Sequence, residues 1–244
     1  MFYLNRIRVF LFRKLYILIV FWCVSFLALY AFVSKPYRLQ NNVDVFSTPL
    51  EGKVVIVDPG HGGIDAGASS GDVLEKELNL EIARILQEYL EESGAVAILT
   101  RTDDTNTADP NRKKGTTQKM SDLRERKDDI EEFSADMFIS IHMNKFSESK
   151  YRGAQVFYPK GTEESKLLGE NIQQSIKETL NDGNTRLAKA TNDIFVLKDN
   201  KIPSSLIECG FLSNQEETKL LTDKNYQRKM AWGIYLGIVR YFSR

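Results

Sequence analysis

The sequence predicts a single α/β domain with a largely parallel central sheet flanked by helices, preceded by one transmembrane helix. Three observations carry this. Short, nearly continuous apolar runs such as KVVIVD (53–58) and MFISIHM (137–143) have the pattern of strands buried on both faces. They alternate with amphipathic helical patterns over fewer than 200 residues, as βαβ units do. Ahead of them, residues 15–34 (LYILIVFWCVSFLALYAFVS) carry no charge over twenty residues, which matches the ~20 needed to cross a bilayer as a helix.

Taken in order, residues 1–14 form a basic amino terminus with Arg6, Arg8, Arg13 and Lys14 and no acid. Tyr16 and Tyr30 stand near the ends of the apolar run at 15–34, where aromatic belts form. Only Lys35 and Arg38 closely follow it, so the positive-inside bias places residues 1–14 in the cytoplasm and the rest outside, anchored to the membrane. The rival is a cleaved signal peptide, whose apolar region is normally shorter and whose small-x-small cleavage site is poorly matched by LALYA or AFVSK. Residues 35–52, polar with two prolines, read as a tether, and residues 53–244 as the domain.

Within the domain a strand at 53–58 leads to a helix at 75–92, with Leu78, Ile82, Ile85, Leu86, Tyr89 and Leu90 on one face. A strand at 95–100 and a long polar loop at 102–120 follow, then a helix at 121–133 and a strand at 137–143. A strand at 153–158 precedes a helix at 163–180, where Leu168, Ile172, Ile176 and Leu180 fall at i+4 steps. Short strands at 193–198 and 204–208 and helices at 214–221 and 224–242 complete the chain.

Charge excludes one class of partner. The 33 basic and 33 acidic residues balance overall, but residues 41–244 hold 27 basic against 33 acidic, a formal net charge of −6. Nucleic-acid binders carry a basic excess, so none is expected as a ligand. Cys23 lies in the apolar run and Cys209 in a predicted strand, so no disulfide is expected between them, and Cys209 reads as a small buried residue.

In open α/β sheets ligands bind at the carboxyl ends of strands. Both histidines fall there: His61 in the glycine-rich DPGHGG loop after the first strand, and His142 at the tip of SIHMN. Glu208 ends the strand at 204–208. Imidazole is the commonest metal ligand, and a catalytic zinc site takes three protein ligands with a fourth position open. Glu75, at the start of the following helix, can sit near His61, although Glu77 and Glu81 compete on composition alone. DPGHGG does not fit the phosphate-loop pattern GxxxxGK[ST], nor reliably GxGxxG.

The blocks DPGHGGIDAGA, LEKELNL, LTR, LRERKDDIEEFSADMFISIHMN and IECGFLSNQEE, in this order from about Lys53 to Phe242, resemble the zinc-dependent N-acetylmuramoyl-L-alanine amidases of bacterial cell walls. The resemblance implies a phosphorylase/hydrolase-like sheet, one catalytic zinc ion on His61, Glu75 and His142, and Glu208 as the catalytic glutamate. Every essential position of the family is filled, and the choice of Glu75 over its neighbours rests on this resemblance.

Membrane-anchored amidases of the endospore cortex are similar in architecture, with a short anchor, a tether, one catalytic domain and a polar insert before the LRER helix. That likeness implies peptidoglycan as substrate and a role in sporulation and germination, where stem-peptide removal precedes formation of muramic δ-lactam.

The implied reaction is hydrolysis of the amide between the lactyl group of N-acetylmuramic acid and L-alanine. Asn144 is expected to orient His142 or to meet substrate. Arg101 and Arg126 match family positions but also read as ion-pair partners, Arg126 as a solvated one on a helix face. The 102–120 loop is expected to contact glycan, gate the cleft or bind a regulatory protein. Two alternatives stand beside this reading: another zinc hydrolase acting within the stem peptide, and a noncatalytic membrane-anchored wall-binding protein.

Overall fold

The computed structural model describes residues 14–16, 18–27, 30, 48–109, 111 and 114–244. The chain divides into two units, residues 1–46 and 47–244. In the first, the described residues are helical and their apolar side chains, Phe21, Trp22 and Phe26 among them, are exposed. No helix among the described residues is long and apolar enough to cross a membrane. Residues 17, 28, 29 and 31–34 of the expected span, with 1–13 and 35–47 on either side, lie outside the described residues.

The second unit contains strands β1 (Val54–Pro59), β2 (Ser69–Ser70) and β3 (Val73–Leu74), helix α1 (Glu75–Glu92), β4 (Val96–Leu99), α2 (Gln118–Glu132), β5 (Met137–Asn144) and β6 (Gln155–Pro159). Helix α3 (Glu163–Leu180), β7 (Lys189–Thr191), a 3-10 turn (Phe195–Leu197), β8 (Ser204–Phe211), α4 (Gln215–Thr222) and α5 (Lys224–Phe242) complete it. The sheet order is β4-β1-β5-β8-β6-β7, with the pairs from β4 to β8 parallel. This is the α/β domain with a largely parallel sheet that the strand–helix alternation predicts.

Strand β6 runs antiparallel to β8. The link from β5 to β6 spans residues 145–154 and holds no helix, so it cannot make the crossover that a parallel return needs. The strand expected at 193–198 is absent: β7 lies earlier, at Lys189–Thr191, and residues 195–197 form the 3-10 turn. Ile194, Val196 and Leu197 all pack into one apolar cluster with Phe138 and Leu206. Consecutive residues of a strand face opposite ways, so only a helical turn can deliver Val196 and Leu197 to the same side. Helix α2 starts a turn before its expected position because Thr117 accepts a hydrogen bond from the Met120 amide and caps it. The β2–β3 hairpin, two residues a strand, was too short to register in the periodicity.

Alternation along the strands divides the core in two. Val55, Val57, Ile139, Ile141, Val156 and Ile207 enter a large cluster with residues of α1, α3 and α5, while Ile56, Phe138 and Leu206 face the smaller one beneath α2 and the 3-10 turn. Helices α3 and α5 pack at backbone contact: a Cβ at Gly237 would stand 2.4 Å from Ile172 Cα, so no other residue fits there without moving a helix. Leu50, fully buried, belongs to the larger cluster. Cys209 is also fully buried within it, and burial pushes its thiol well above the usual range, which suits an inert strand residue.

Candidate metal centre and cleft

Asp58, His142 and Glu208 belong to the face of the sheet that carries the smaller cluster, at the carboxyl ends of its parallel strands. Parallel pairing makes His142 the register partner of Glu208, one strand apart. His61 lies two residues beyond β1 with φ of 61°, a left-handed conformation in the turn that carries the chain back over the sheet. Gly60 before it is packed flat against the His142 ring, where a Cβ would approach Cε1 and Nε2 to 2.2 Å. Gly60 therefore serves close approach of backbone to an imidazole, while Gly62 and Gly63 take positive φ against Thr105, Arg101 and Asn106.

Glu75 begins α1 and is buried, favourably placed at the positive end of the helix dipole. Its Oε1 lies 3.1 Å from His61 Nε2 and 3.0 Å from His142 Nδ1, and accepts from the Met143 amide at 3.0 Å. Its Oε2 accepts from the Ala68 amide at 2.7 Å. Glu77 and Glu81, the rivals on composition, take no part: among the described residues, the metal-capable cluster of His, Cys, Asp and Glu is His61, Glu75 and His142, with ligand atoms all within 4.8 Å.

Burial alone would raise the Glu75 pKa, but hydrogen bonds to His142 and His61 outweigh it and hold the carboxyl well below the usual range. Burial opposes protonation of His61, yet Glu75 and Asp65 together raise its pKa. Asp65, which the motif reading passed over, contacts His61 Nδ1 at 3.1 Å and so leaves Nε2 facing Glu75. An acid four residues after the histidine, in HGGID, is the signal that could have found it. Burial pushes the Glu208 carboxyl up to about 7 against the pull of His142, and its Oε2 is buried with no hydrogen-bond partner among the described residues. Two imidazole nitrogens converging on one carboxylate oxygen, beside an orphaned second carboxylate, fit a divalent cation with N and O ligands.

His61, His142 and Glu208 open into a cleft of about 330 Å³, walled by Lys119 and Leu123 of α2 on one side and Ile194 and Phe195 on another. Arg126 is not a solvated pair partner. It is buried, ion-paired to Asp58 and Asp122, and donates to the carbonyls of Pro59 and His61. Asp58 in turn accepts from Ser140 and Thr100. Arg101, equally buried, donates to the carbonyls of Pro59, Gly60, Lys76 and Asp103 and has no ion pair among the described residues. Both arginines bind the His61 loop to its surroundings. Asn144 ends β5 two residues after His142, and its carbonyl accepts from the Leu212 amide.

The first part of the 102–120 loop is tied to the same place. Asp104 accepts from the Gly63 amide at 2.9 Å and pairs with Lys76 at 2.7 Å, and Thr107 binds Asp122. Pro110, Arg112 and Lys113 lie outside the described residues.

Residues 55–240 match the family model described as N-acetylmuramoyl-L-alanine amidase. The chain is 41% identical over 209 residues to the germination-specific N-acetylmuramoyl-L-alanine amidase of Bacillus subtilis strain 168, covering 85% of this chain and 88% of that protein. It is 33% identical over 196 residues to the N-acetylmuramoyl-L-alanine amidase LytC of the same organism, covering 80% of this chain and 36% of LytC. Among solved structures it resembles the CwlD amidase from Clostridioides difficile, determined in complex with the GerS lipoprotein, with a TM-score of 0.75 and 49% identity over 79% of this chain and 99% of that one. The strand-end histidines, the glutamate between them, the fold and these likenesses agree: the chain belongs to the N-acetylmuramoyl-L-alanine amidase family and is an amidase of peptidoglycan.

Proposed function

We propose that this amidase works with one zinc ion held by His61, Glu75 and His142, uses Glu208 to carry the proton, and acts on spore-cortex peptidoglycan from a membrane-anchored position outside the cytoplasm. The observation that carries the chemical part is Glu75 Oε1, shared at 3.0–3.1 Å between two imidazoles, with Glu208, whose Oε2 has no partner among the described residues, in register with one of them. Zinc bound there would supply a Lewis acid for the lactyl carbonyl and lower the pKa of a water towards about 7.

The chain's own groups do the rest. Asp65 keeps the proton of His61 on Nδ1, so Nε2 offers its lone pair. Arg101 and Arg126 hold the carbonyls of residues 59–61 and so fix where His61 stands. Glu208, in register beside His142, takes the proton of the attacking water and delivers it to the departing alanine nitrogen. The carbon–nitrogen bond breaks as that nitrogen gains the proton, and the lactyl carboxylate forms.

The cortex role is supported by the germination-specific B. subtilis relative, and it would provide the peptide-free muramic acid from which a δ-lactam can form. The complex of CwlD with a lipoprotein supports a regulatory protein partner here. The anchor is supported by the uncharged run at 15–34 and its basic flank.

Digestion of purified cortex peptidoglycan by the zinc-loaded full-length chain tests the reaction. Mass spectrometry should find peptides beginning with L-alanine and muramic acid freed of its stem. Products cut elsewhere in the stem would refute it. Membrane fractionation tests the anchor: the chain should resist salt extraction and dissolve in detergent.

A further inference from the structure

We infer that Arg186 binds a carboxylate on the peptide half of the substrate and thereby sets which stem peptides this amidase accepts. The inference rests on the reading of Glu208 as the group that protonates the leaving nitrogen. Gln155 of β6 is the antiparallel register partner of Glu208, as His142 of β5 is its parallel partner. Cross-strand partners share a face, so along that row His142 and Gln155 flank Glu208 on opposite sides. The carbonyl belongs on the His142 side with the candidate metal ligands. The leaving nitrogen belongs at Glu208, and the peptide beyond it runs over β6.

Arg186 waits there. Its Nη1 donates to Gln155 Oε1 at 2.9 Å, its Nε donates to the Arg152 carbonyl at 2.9 Å, and its guanidinium lies 4.7 Å over the Phe211 ring. Two hydrogen bonds and a stacked ring fix the plane of the fork. Unlike Arg126, it has no ion-pair partner among the described residues, so its charge is ordered but unbalanced. A planar, preorganised guanidinium is the side chain best matched to a carboxylate.

The surroundings have the same character. Arg186 lines a cleft of about 430 Å³ with Arg152 and Lys150 and one acid, Asp182. Residues 41–244 carry a net charge of −6, so a cationic cleft linked to the Glu208 row through Gln155 runs against the average of the domain and suits an anionic ligand.

The order along the substrate agrees as well. Strand β6 is the next strand beyond Glu208, and Arg186 holds the tip of the Gln155 side chain that rises from it. L-alanine, amide-linked at both ends, has no free carboxylate, so the first that the peptide half can offer is that of the residue following L-alanine. Where that residue is a glutamate joined through its side chain, it offers either a free α-carboxylate or, if amidated, a carboxamide. The geometry selects the carboxylate, because a neutral amide leaves the guanidinium uncompensated.

Two synthetic muropeptides differing only in this carboxylate or carboxamide test the inference with the zinc-loaded full-length enzyme. The wild type should favour the carboxylate at least tenfold in kcat/KM. R186Q should lower kcat/KM on the carboxylate substrate at least tenfold more than on the carboxamide, and R186K, which keeps the charge, should restore part of the preference. A wild type indifferent to the difference, or an R186Q enzyme that keeps the wild-type preference, would overturn it. So would equal losses on both substrates in R186Q and R186K, which would mark Arg186 as structural. E208Q separates the two readings: it should lower kcat on both substrates alike by ~10²-fold or more, and a kcat within threefold of wild type there would overturn the proton-carrier role whatever Arg186 does.

Discussion

His142 and Glu208 are register partners on the adjacent parallel strands β5 and β8, so the spacing between an imidazole and a carboxylate is set by the sheet itself. The proposed proton carrier and a candidate metal ligand are thus held by backbone hydrogen bonds on both sides. E208Q should retain wild-type zinc content by elemental analysis while kcat falls by ~10²–10⁴-fold, the range for loss of a general acid–base group. A kcat within threefold of wild type would refute the assignment.

Chelation should abolish activity, and added zinc should restore it. Because the proposed metal cluster is assembled in the folded state only, zinc at about 100 times its Kd should stabilise the domain by about 2.7 kcal/mol, visible as a higher Tm. H61A and H142A should lose both zinc and this rise in Tm. A zinc-induced rise that survives in either variant would exclude that histidine as a ligand.

Arg126 should matter to stability first and to turnover through the position of His61. Its removal strands Asp58, a buried carboxylate whose pKa is held down mainly by Arg126 against the opposing effect of burial. Breaking such a pair costs about 3–5 kcal/mol, so R126M should unfold at markedly lower denaturant concentration. An unchanged midpoint would contradict the geometry.

Gly60 allows the loop backbone to lie on the His142 ring. G60A places a methyl group where the ring is, 2.2 Å from two of its atoms, so the ring or the loop must move. The variant should fold and yet bind zinc at least tenfold more weakly, as measured by competition with a chromogenic chelator. Wild-type affinity would show that the packing is dispensable.

Asp129 on α2 gives a separate pH signature. Burial, then Glu132, Asp58 and Glu125, raise its pKa from 3.8 to about 6. A folded-state value above the unfolded one means that ionisation opposes folding, so stability is lost as pH rises from about 4 through 6 and stays lost above. Discounted for the half-exposed position, the penalty is about 1 kcal/mol. D129N should therefore raise Tm by about 2–4 °C at pH 7.5, with the gain vanishing near pH 4. An equal gain at both pH values would assign the effect to helix propensity instead.

The strands β1, β5 and β8 and the helices α1, α3 and α5 were legible because each buries enough apolar surface to impose a period on its sequence. Strand β7 was not, since KAT at an edge has no such period, and the apolar run at 194–197 imitates a strand while feeding one cluster. His61 and His142 were legible as strand-end residues by their rarity. The choice of Glu75 needed the family resemblance, because three glutamates near the start of one helix look alike until one is buried between two imidazoles.

The sequence by itself determined the α/β class, the acidic domain behind a basic apolar leader, and the residue types of a metal site, since hydrophobic period and net charge are local or additive properties. Only the tertiary structure decided what those residues touch. Burial of Arg126, the contact of Asp65 with His61, the register of His142 with Glu208 and Gln155, and the placing of Arg186 beside that row all depend on pairings between distant segments. Such pairings arise from strand order and packing, which no local pattern in the chain encodes.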